Sequence, residues 1–303
     1  MRTIAVTGAT GFVGTETLDQ LIGAGFTVRA LARRPQPERA GVTWVAGALG
    51  DAAAMDALIQ GANVVLHVAG VVNAPDRAGF EAGNGIGTTH VIDAMQRAEA
   101  KRLIHVSSFA ARQPDLSDYC WSKHMAEDKV RASRLDWTIV RPPAVYGPRD
   151  TEFIEAMKVA RYGLMPVPAQ GRASLIHVAD LAAVLVRLCG EAGDAFVGET
   201  WEVDDGAPDG LSHMELAAAF GRALQRKVIP LPLPQPVLMA FAHIDRLLRR
   251  DKAKLTQDRV RYMCHPDWVI DPNKRPPSSF WQPSIGADEG LAQIAATLRG
   301  RSA

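Results

Sequence analysis

Tyr119 and Lys123 stand four residues apart in a stretch with a helical pattern, so a phenol and an ammonium share one helical face. A free phenol has a pKa near ~10, which is too high for proton exchange at neutral pH. A lysine charge about 4 Å away is worth roughly 4 kcal/mol at an effective dielectric constant of ~20. We therefore expect Lys123 to lower the pKa of Tyr119 toward the range in which acid–base catalysis works. Surface helices also carry this spacing by chance, so its meaning depends on the residues that precede it.

Three glycines at steps of three lie between a short apolar strand pattern at 3–6 and a helical pattern at 15–24. Glycine permits a tight turn, a close approach of the backbone to a pyrophosphate and close packing of a helix on a strand. The helix N-terminus adds N–H donors and partial positive charge. The sequence therefore predicts a dinucleotide-binding loop with the contact residues Gly8, Thr10, Gly11, Phe12, Val13 and Gly14. The alternative is a glycine-rich loop with a purely structural role.

The end of the next predicted strand, at 27–32, bears on the choice of dinucleotide. An NAD site would usually place Asp or Glu there to bind the ribose 2′-hydroxyl. Here the strand is followed by Arg33 and Arg34, whose guanidinium groups suit a 2′-phosphate. We therefore predict that NADP(H) is preferred, with NAD(H) as the alternative cofactor. A solvated basic turn is the structural explanation of the same two residues.

Composition excludes several other classes of function. The 303 residues carry a net charge of +1 and the isoelectric point is near 7.8, so no overall field attracts nucleic acid. The odd number of cysteines argues against a disulfide framework and fits a reducing compartment. We predict no metal site, because ligand spacing is absent around Cys120, Cys189, Cys264, His67, His90, His105 and His177.

Two further expectations concern location. The chain opens directly on a strand pattern, without a charged and then apolar leader. No apolar stretch is long enough to span a bilayer. We therefore expect a cytoplasmic protein.

Alternating strand and helix patterns in the first half predict an α/β fold, a Rossmann-type doubly wound parallel sheet. The predicted strands are 3–6, 27–32, 43–46, 63–68, 103–106, 137–140, 174–178 and 200–203. The predicted helices are 15–24, 51–60 capped by Asp51, 80–100, 119–134, 152–162, 179–189, 212–224 capped by Ser212, and 237–248. After Arg141, repeated prolines interrupt the pattern, which predicts a smaller C-terminal α/β lid that binds substrate. The predicted domains are 1–142 with about 174–195 for the cofactor, and 143–173 with about 196–303 for the substrate.

Together these features resemble the extended short-chain dehydrogenase/reductase superfamily, the group of NAD(P)-dependent epimerases, dehydratases and reductases. The resemblance covers nearly the whole chain. It rests on the motifs at 7–14, 84–88, 107–108, 119–123, 141–150 and 177–181, which occur in the family's order.

The resemblance implies a role for each matching residue. Tyr119 would exchange a proton with the substrate oxygen, and Lys123 would lower its pKa and hold the nicotinamide ribose. A serine would donate a hydrogen bond to the reacting carbonyl, and the family position selects Ser108 rather than Ser107. Asn84 would be a helix residue near the cofactor, with local helix capping as the alternative.

The predicted cofactor contacts also include Leu49, Ala69, Gly70, Pro142 and Val145. The sequence departs from the family pattern in three places, the first being the interval of only eleven residues between Ser108 and Tyr119, which is shorter than in many extended members and predicts a more open pocket on that side. Ala48 replaces the usual Asp after the third strand, which leaves the adenine with backbone and apolar contacts. Ala173 and Ser174 stand where nucleotide-sugar enzymes commonly have Arg and Asp, which weakens a diphosphate-sugar assignment.

We therefore predict an NADP(H)-dependent oxidoreductase that transfers hydride between nicotinamide and a carbonyl or alcohol carbon of a small organic substrate. One alternative is a nucleotide-sugar epimerase or dehydratase that retains its NAD(P). Another is a sensor or scaffold that binds NADP without chemistry. The resemblance allows a homodimer. The amphipathic stretch at 237–250 has a basic end, and such helices mostly cover a core or a pocket, while a minority bind membrane surfaces.

Overall fold

The computed structural model of the protein describes residues 2–250 and 253–300. Its strands are β1 Thr3–Thr7, β2 Thr27–Ala32, β3 Val42–Ala46, β4 Val64–His67, β5 Arg102–Val106, β6 Asp136–Arg141, β7 Ala144–Tyr146, β8 Leu164–Pro168, β9 Arg172–Ala173, β10 Leu175–His177, β11 Glu199–Glu202, β12 Leu211–Ser212, β13 Ile229–Leu233 and β14 Asp267–Trp268. Its α-helices are α1 Phe12–Gly23, α2 Ala52–Ile59, α3 Arg77–Phe80, α4 Gly87–Arg97, α5 Asp118–Ala132, α6 Thr151–Ala160, α7 Val178–Cys189, α8 His213–Leu224, α9 Gln235–Arg249, α10 Gln257–Met263 and α11 Ala287–Gly300.

One large sheet organises the first half of the chain, with the strand order β11-β6-β5-β4-β1-β2-β3. The pairs among β1 to β6 are parallel, and β4 and β5 are buried along their whole length. Fully buried parallel strands require cover on both faces of the sheet. The strand order reverses between β1 and β4, and ligands of such sheets bind at that point, outside the carboxyl ends of the strands. The predicted Rossmann-type sheet is confirmed.

Contacts between Cα atoms divide the described residues into two compact units. The first comprises the chain up to Arg141 together with Leu181–Trp201. The second comprises Pro142–Asp180 and the chain from Glu202 onward. The predicted domain ranges differ from these units at Pro142, at 174–180 and at 196–201.

The local signals for helix starts are confirmed. The Asp51 side chain accepts a hydrogen bond from Ala54 N at 3.1 Å, at the start of α2. Ser212 and Glu215 form a reciprocal capping box at the start of α8. Each cap accepts a hydrogen bond from a backbone N–H group in the first turn, which has no partner within the helix. Each cap therefore fixes where its helix begins.

The helix predicted at 80–100 is present as a continuous helical run through α3 and α4, but it is not α-helical throughout. A π-helical segment, Glu81–Ile86, separates α3 from α4. This segment is rich in glycine, which lowers helix propensity. A Cβ on Gly85 would lie 2.0 Å from Met125 Cε, so close packing against α5 also favours glycine here. π-Helical turns are frequent at functional sites.

The core of the first unit lies between the sheet and the helices α2, α4 and α5. Its fully buried members include Ala5, Met55, Leu58, Ile59, Val65, Val91, Met95, Leu103, Val130 and Ile139. Replacing one of the larger members by alanine would cost about 2–5 kcal/mol of stability. This core fixes the strand ends at which the predicted site residues lie.

The second unit contains small sheets and its own core. Strand β10, predicted from the sequence as 174–178, pairs in parallel with β7 and not with the large sheet. Tyr146 is fully buried in this core with Met157, Phe220 and Leu291, and its hydroxyl donates to Gly286 O at 3.3 Å.

Strands β8 and β13 pair in parallel although both contain prolines, which the sequence analysis took as interruptions. Proline fits a strand when its nitrogen faces away from the partner strand. Ile229 N donates to Gly163 O at 2.8 Å, and Ala169 N donates to Leu233 O at 3.1 Å. The residues that bond across this pair are therefore the non-proline ones.

Candidate active site

The glycine loop follows β1 at the point where the strand order reverses. Gly8 has φ +73°, and a Cβ there would lie 2.6 Å from Ala69 N. A Cβ on Gly14 would lie 2.0 Å from Gly8 O. Gly11 N donates to Gly8 O at 3.0 Å, and Gly11 is the N-cap of α1 without a side-chain cap. The tight loop therefore leads into a helix start whose N–H groups are suited to a phosphate group.

The other cofactor contacts predicted in the first unit follow the neighbouring strands. Arg33 and Arg34 are exposed after β2 and form no ion pair within the described part of the chain. Leu49 follows β3 and packs against Gly87, and Gly70 is exposed after β4. Since the carboxyl ends of parallel strands meet at one edge, these residues and the glycine loop lie along the same edge.

The six remaining predicted contacts are placed as follows. Thr10 is exposed in the glycine loop, and Phe12 and Val13 are half-buried in the first turn of α1. Ala69 is half-buried beside Gly8. Pro142, which follows the last residue of β6, and Val145 of β7 belong to the second unit.

Lys123 is buried in α5, and its Nζ donates to Val106 O at 3.2 Å, at the carboxyl end of β5. Burial lowers the pKa of Lys123 to about 8, although the nearby Glu127 charge opposes the change. Tyr119, one turn earlier on α5, is nearly buried, and its ring centroid lies 5.9 Å from that of Phe80. A buried ammonium thus lies on the helix that carries the predicted catalytic phenol.

Ser107 and Ser108, which follow β5, lie in different environments. Ser107 is buried and donates to Glu127 Oε1 at 2.6 Å. Ser108 is only partly buried, and its Oγ accepts from Ala110 N at 3.2 Å, at the start of a short 3₁₀ turn. The hydroxyl of Ser108 can therefore still donate a hydrogen bond to another acceptor, whereas the hydroxyl of Ser107 already donates to Glu127.

Asn84 is buried in the π-helical segment and bonds to other elements. Its Oδ1 accepts from Val71 N at 2.7 Å, and its Nδ2 donates to Val71 O at 3.0 Å and to Ser122 Oγ at 2.8 Å. Ser122 Oγ in turn donates to Tyr119 O at 2.8 Å. Asn84 therefore joins the segment after β4 to the helix that carries Tyr119, and these side-chain bonds are not those of a helix cap.

Gly70 brings this network close to Lys123. A Cβ on Gly70 would lie 3.1 Å from Asn84 Oδ1 and 3.4 Å from Lys123 Nζ. The loop after β4, the π-helical segment and α5 therefore meet around one exposed glycine backbone. Such a backbone can approach a ligand closely.

Glu127 was missed by the sequence analysis. It is fully buried on α5, four residues after Lys123, and both of its oxygens are bonded. Oε1 accepts from Arg141 Nε at 2.8 Å, and Oε2 accepts from Arg141 Nη2 at 2.6 Å and Arg131 Nη2 at 2.7 Å. Burial opposes ionisation, but hydrogen bonds from Arg141 and Ser107 hold the pKa of Glu127 below its ordinary value. A carboxylate at helical spacing after Lys123 was the signal available in the sequence.

His67, the last residue of β4, is buried with both ring nitrogens next to threonine hydroxyl groups. Its Nδ1 lies 2.7 Å from Thr7 Oγ1, and its Nε2 lies 3.1 Å from Thr88 Oγ1. Burial and the Lys123 charge lower its pKa to about 3, so His67 is neutral at physiological pH. Thr88 Oγ1 also donates to Asn84 O at 2.6 Å. The His67 ring therefore links β1 and β4 to the helix that follows Asn84.

A protein-family model described as NAD(P)H-binding matches residues 8–192, more than half of the chain. The chain belongs to this NAD(P)H-binding family, within the extended short-chain dehydrogenase/reductase group. A protein from Caulobacter vibrioides named "Ceramide reductase" is 37% identical over 297 residues, which is 95% of this chain and 92% of that protein. The family member described here is an NAD(P)-dependent oxidoreductase.

Solved structures of the group share the fold. MoeE5 in complex with UDP-glucose and NAD has a TM-score of 0.76 at 18% identity, and the match covers all of both chains. The human epimerase family protein SDR39U1 with NADPH has a TM-score of 0.75 at 20% identity, over 98% of this chain and 99% of that chain. Within the described residues, no helix of this family member has the length and apolar character needed to cross a membrane.

Proposed function

We propose that this protein is an NADPH-dependent reductase that converts the ketone of a ceramide-type lipid to an alcohol at a Ser108–Tyr119–Lys123 site. The observation that carries the proposal is the buried Lys123 ammonium, which bonds Val106 O at the carboxyl end of β5, one helical turn from Tyr119. A lysine with a pKa of about 8 beside a phenol favours proton transfer near neutral pH.

Each residue has a defined part in the proposed reaction. NADPH, when bound, supplies the hydride to the carbonyl carbon. Tyr119 gives its proton to the carbonyl oxygen, and Ser108 donates a hydrogen bond to the same oxygen as its charge develops. Lys123 favours the phenolate that remains, and solvent returns the proton. The carbonyl thus gains one hydride and one proton and becomes an alcohol.

The glycine loop fits a dinucleotide-binding turn, since a Cβ at Gly8 or Gly14 would clash with the backbone at Ala69 N or Gly8 O, so only glycine permits this tight strand-to-helix turn. The preference for NADPH over NADH rests on Arg33 and Arg34. Both are exposed after β2, where an NAD enzyme would place a carboxylate. Guanidinium groups bind phosphate through charge-assisted hydrogen bonds.

Sequence similarity supports the substrate class, since 37% identity to a ceramide reductase extends over 95% of this chain. The amide of a ceramide resists hydride reduction, so the reacting group is a ketone on the lipid backbone. Ala173 and Ser174, where nucleotide-sugar enzymes commonly have Arg and Asp, also favour an uncharged substrate.

The test is NADPH oxidation by the purified protein with a keto-ceramide in detergent micelles. Tyr119→Phe should lower turnover on the order of 10²–10⁴-fold, the usual contribution of a positioned acid. The NADPH dissociation constant should change by less than about threefold, since the ring is retained. Tyr162→Phe, at a side chain that is 73% exposed, is the matched control and should keep full activity.

Two results would change the assignment. Full activity of Tyr119→Phe would exclude the proposed proton transfer. A nucleotide that stays bound through purification and does not exchange with free NADPH would instead favour an epimerase.

A further inference from the structure

Helix α9 packs on the second unit through a narrow face. Leu238 and Ala242 are buried in a small cluster with Val260 of α10. Asp245 lies on the same side, and its Oδ2 accepts from Lys254 N at 2.8 Å and Leu255 N at 2.9 Å. These contacts fix the rotation of the helix about its own axis.

The fixed rotation leaves a second apolar face in solvent. An α-helix turns 100° per residue, so four apolar side chains of this face fall within an arc of about 60°, with Leu247 beside them. The four are Val237, Phe241, Ile244 and Leu248. The exposed fractions are 40% for Val237, 49% for Phe241, 51% for Ile244, 80% for Leu247 and 79% for Leu248. We call these five residues the α9 apolar face. Contiguous exposed apolar side chains of this size mark an interaction surface.

The charges next to the α9 apolar face are positive. Arg246 lies about 100° around the helix from Leu247, and Arg250 is the C-cap residue of the helix; both are exposed, and neither forms an ion pair within residues 2–250 and 253–300. The one carboxylate of α9, Asp245, already bonds Lys254 N and pairs with Arg249 Nε at 3.2 Å. No free carboxylate of α9 balances Arg246 and Arg250.

We propose that α9 binds the surface of an anionic lipid bilayer, with its apolar face in the acyl boundary and Arg246 and Arg250 near lipid phosphates. An amphipathic helix with a basic polar face lies in the plane of such a surface and does not span it. Each basic residue near an anionic leaflet adds to the attraction. This proposal stands without the proposed function, although it would also bring the enzyme to a lipid substrate.

A second copy of this chain is the competing occupant. The apolar face of a second α9 could cover the first one, but it would bring two more arginines and no free carboxylate. An anionic bilayer matches both the apolar and the positive part of the surface. Charge complementarity therefore favours lipid.

The experiment is flotation of the full-length protein with vesicles. We expect binding to vesicles of equimolar phosphatidylglycerol and phosphatidylcholine, and at least tenfold weaker binding to phosphatidylcholine alone. Leu247→Asp with Leu248→Asp should weaken binding to the anionic vesicles at least tenfold. Arg246→Gln with Arg250→Gln should remove most of the preference for anionic lipid. The matched control is Met214→Asp with Val197→Asp, which adds the same charge at side chains that are 54% and 44% exposed.

A second readout avoids dependence on the folding of the aspartate variant. In the Phe241→Trp variant, the added tryptophan should contribute fluorescence that shifts to the blue when anionic vesicles are added. This contribution is the emission spectrum of the variant minus that of the wild type. Wild-type protein that does not float with anionic vesicles overturns the proposal, as does equal loss of binding in the control. A dimer in solution that Leu247→Asp with Leu248→Asp dissociates, without vesicle binding by wild type, would assign the face to a second copy.

Discussion

Glu127 and Arg141 form a buried two-bond ion pair, with Arg141 Nε 2.8 Å from Oε1 and Nη2 2.6 Å from Oε2 of the carboxylate. The pair joins α5 to the last residue of β6. Ser107, the residue that follows β5, donates a hydrogen bond to the same carboxylate and so joins the end of β5 to α5. The helix that carries Tyr119 and Lys123 is thus tied to the strand end that leads to Ser108. Glu127 bonds Arg141, Arg131 and Ser107, so we assign the pair a positioning role.

Glu127→Gln should lower the free energy of unfolding by about 3–5 kcal/mol, because it leaves Arg141 buried beside a neutral amide. Urea unfolding of the cofactor-free protein measures this loss. The control is Asp56→Asn, which removes the partner of Arg97 in a half-exposed pair at 2.7 Å. That change should cost less than about 1 kcal/mol. Equal losses in the two variants would contradict a special role for the buried pair.

The burial of Lys123 predicts a rise in stability with pH. Its pKa is about 8 in the folded protein, below the ~10.4 of a lysine in an unfolded chain. Between these values the unfolded chain binds a proton that the folded protein has released. The free energy of unfolding should therefore rise with pH between about 8 and ~10.4, by up to about 1.4 kcal/mol per pH unit. The contribution of Lys123 is fully present above the unfolded pKa and is lost as the pH falls through about 8.

Lys123→Met isolates that contribution. The variant should be more stable than wild type at pH 7, because it removes a buried charge, and the advantage should shrink as the pH rises toward 10. Urea unfolding at several pH values between 7 and 10 gives both curves. Parallel curves would show that Lys123 keeps an ordinary pKa in the folded protein.

Gly14→Ala should weaken NADPH binding by at least about tenfold, which corresponds to 1.4 kcal/mol. Its Cβ would lie 2.0 Å from Gly8 O, so the loop backbone must move. Titration against intrinsic tryptophan fluorescence measures the affinity. Gly23→Ala, in the same helix and with no atom within 4 Å, is the control. It should leave binding unchanged and raise stability by up to about 1 kcal/mol. Normal affinity in Gly14→Ala would argue against the loop as the phosphate site.

Arg33→Ala should weaken NADPH binding by about tenfold or more, since a hydrogen bond to a charged group is worth about 1.5–3 kcal/mol. NADH binding should change by less than about twofold, because NADH lacks the 2′-phosphate. Competition titrations with both nucleotides give the ratio. Arg134→Ala, at another exposed arginine of the same unit, controls for net charge. Equal weakening of NADH and NADPH would remove the basis for the NADP preference.

The fold and part of the site could be predicted because their signals are local. The glycine loop lies between a strand and a helix in the order that phosphate binding needs, and Asp51 caps the helix that directly follows it. Tyr119 and Lys123 share a helical face for the same reason, since their spacing alone decides it. Such patterns are complete within a few neighbouring residues.

The remainder depends on contacts between distant parts of the chain. Glu127 meets Ser107 across 20 residues and Arg141 across 14, and Asn84 meets Val71 across 13. Its helical spacing after Lys123 is a local signal, but that spacing alone does not distinguish Glu127 from a solvated carboxylate. Burial against β5 and β6 gives it the charged partners, and burial is a property of the folded chain.

The prolines of β8 and β13 also bear on whether the edges of this strand pair can bond to another copy of the chain. Ile229 N and Ala169 N point into the strand pair, so the alternate positions point outward. Those outward positions include Pro166, Pro168, Pro230 and Pro232, which have no N–H to offer. An unpaired edge with N–H groups is a template for another chain, and proline removes that template. The strand pair therefore resists edge-to-edge aggregation even though it exposes apolar side chains.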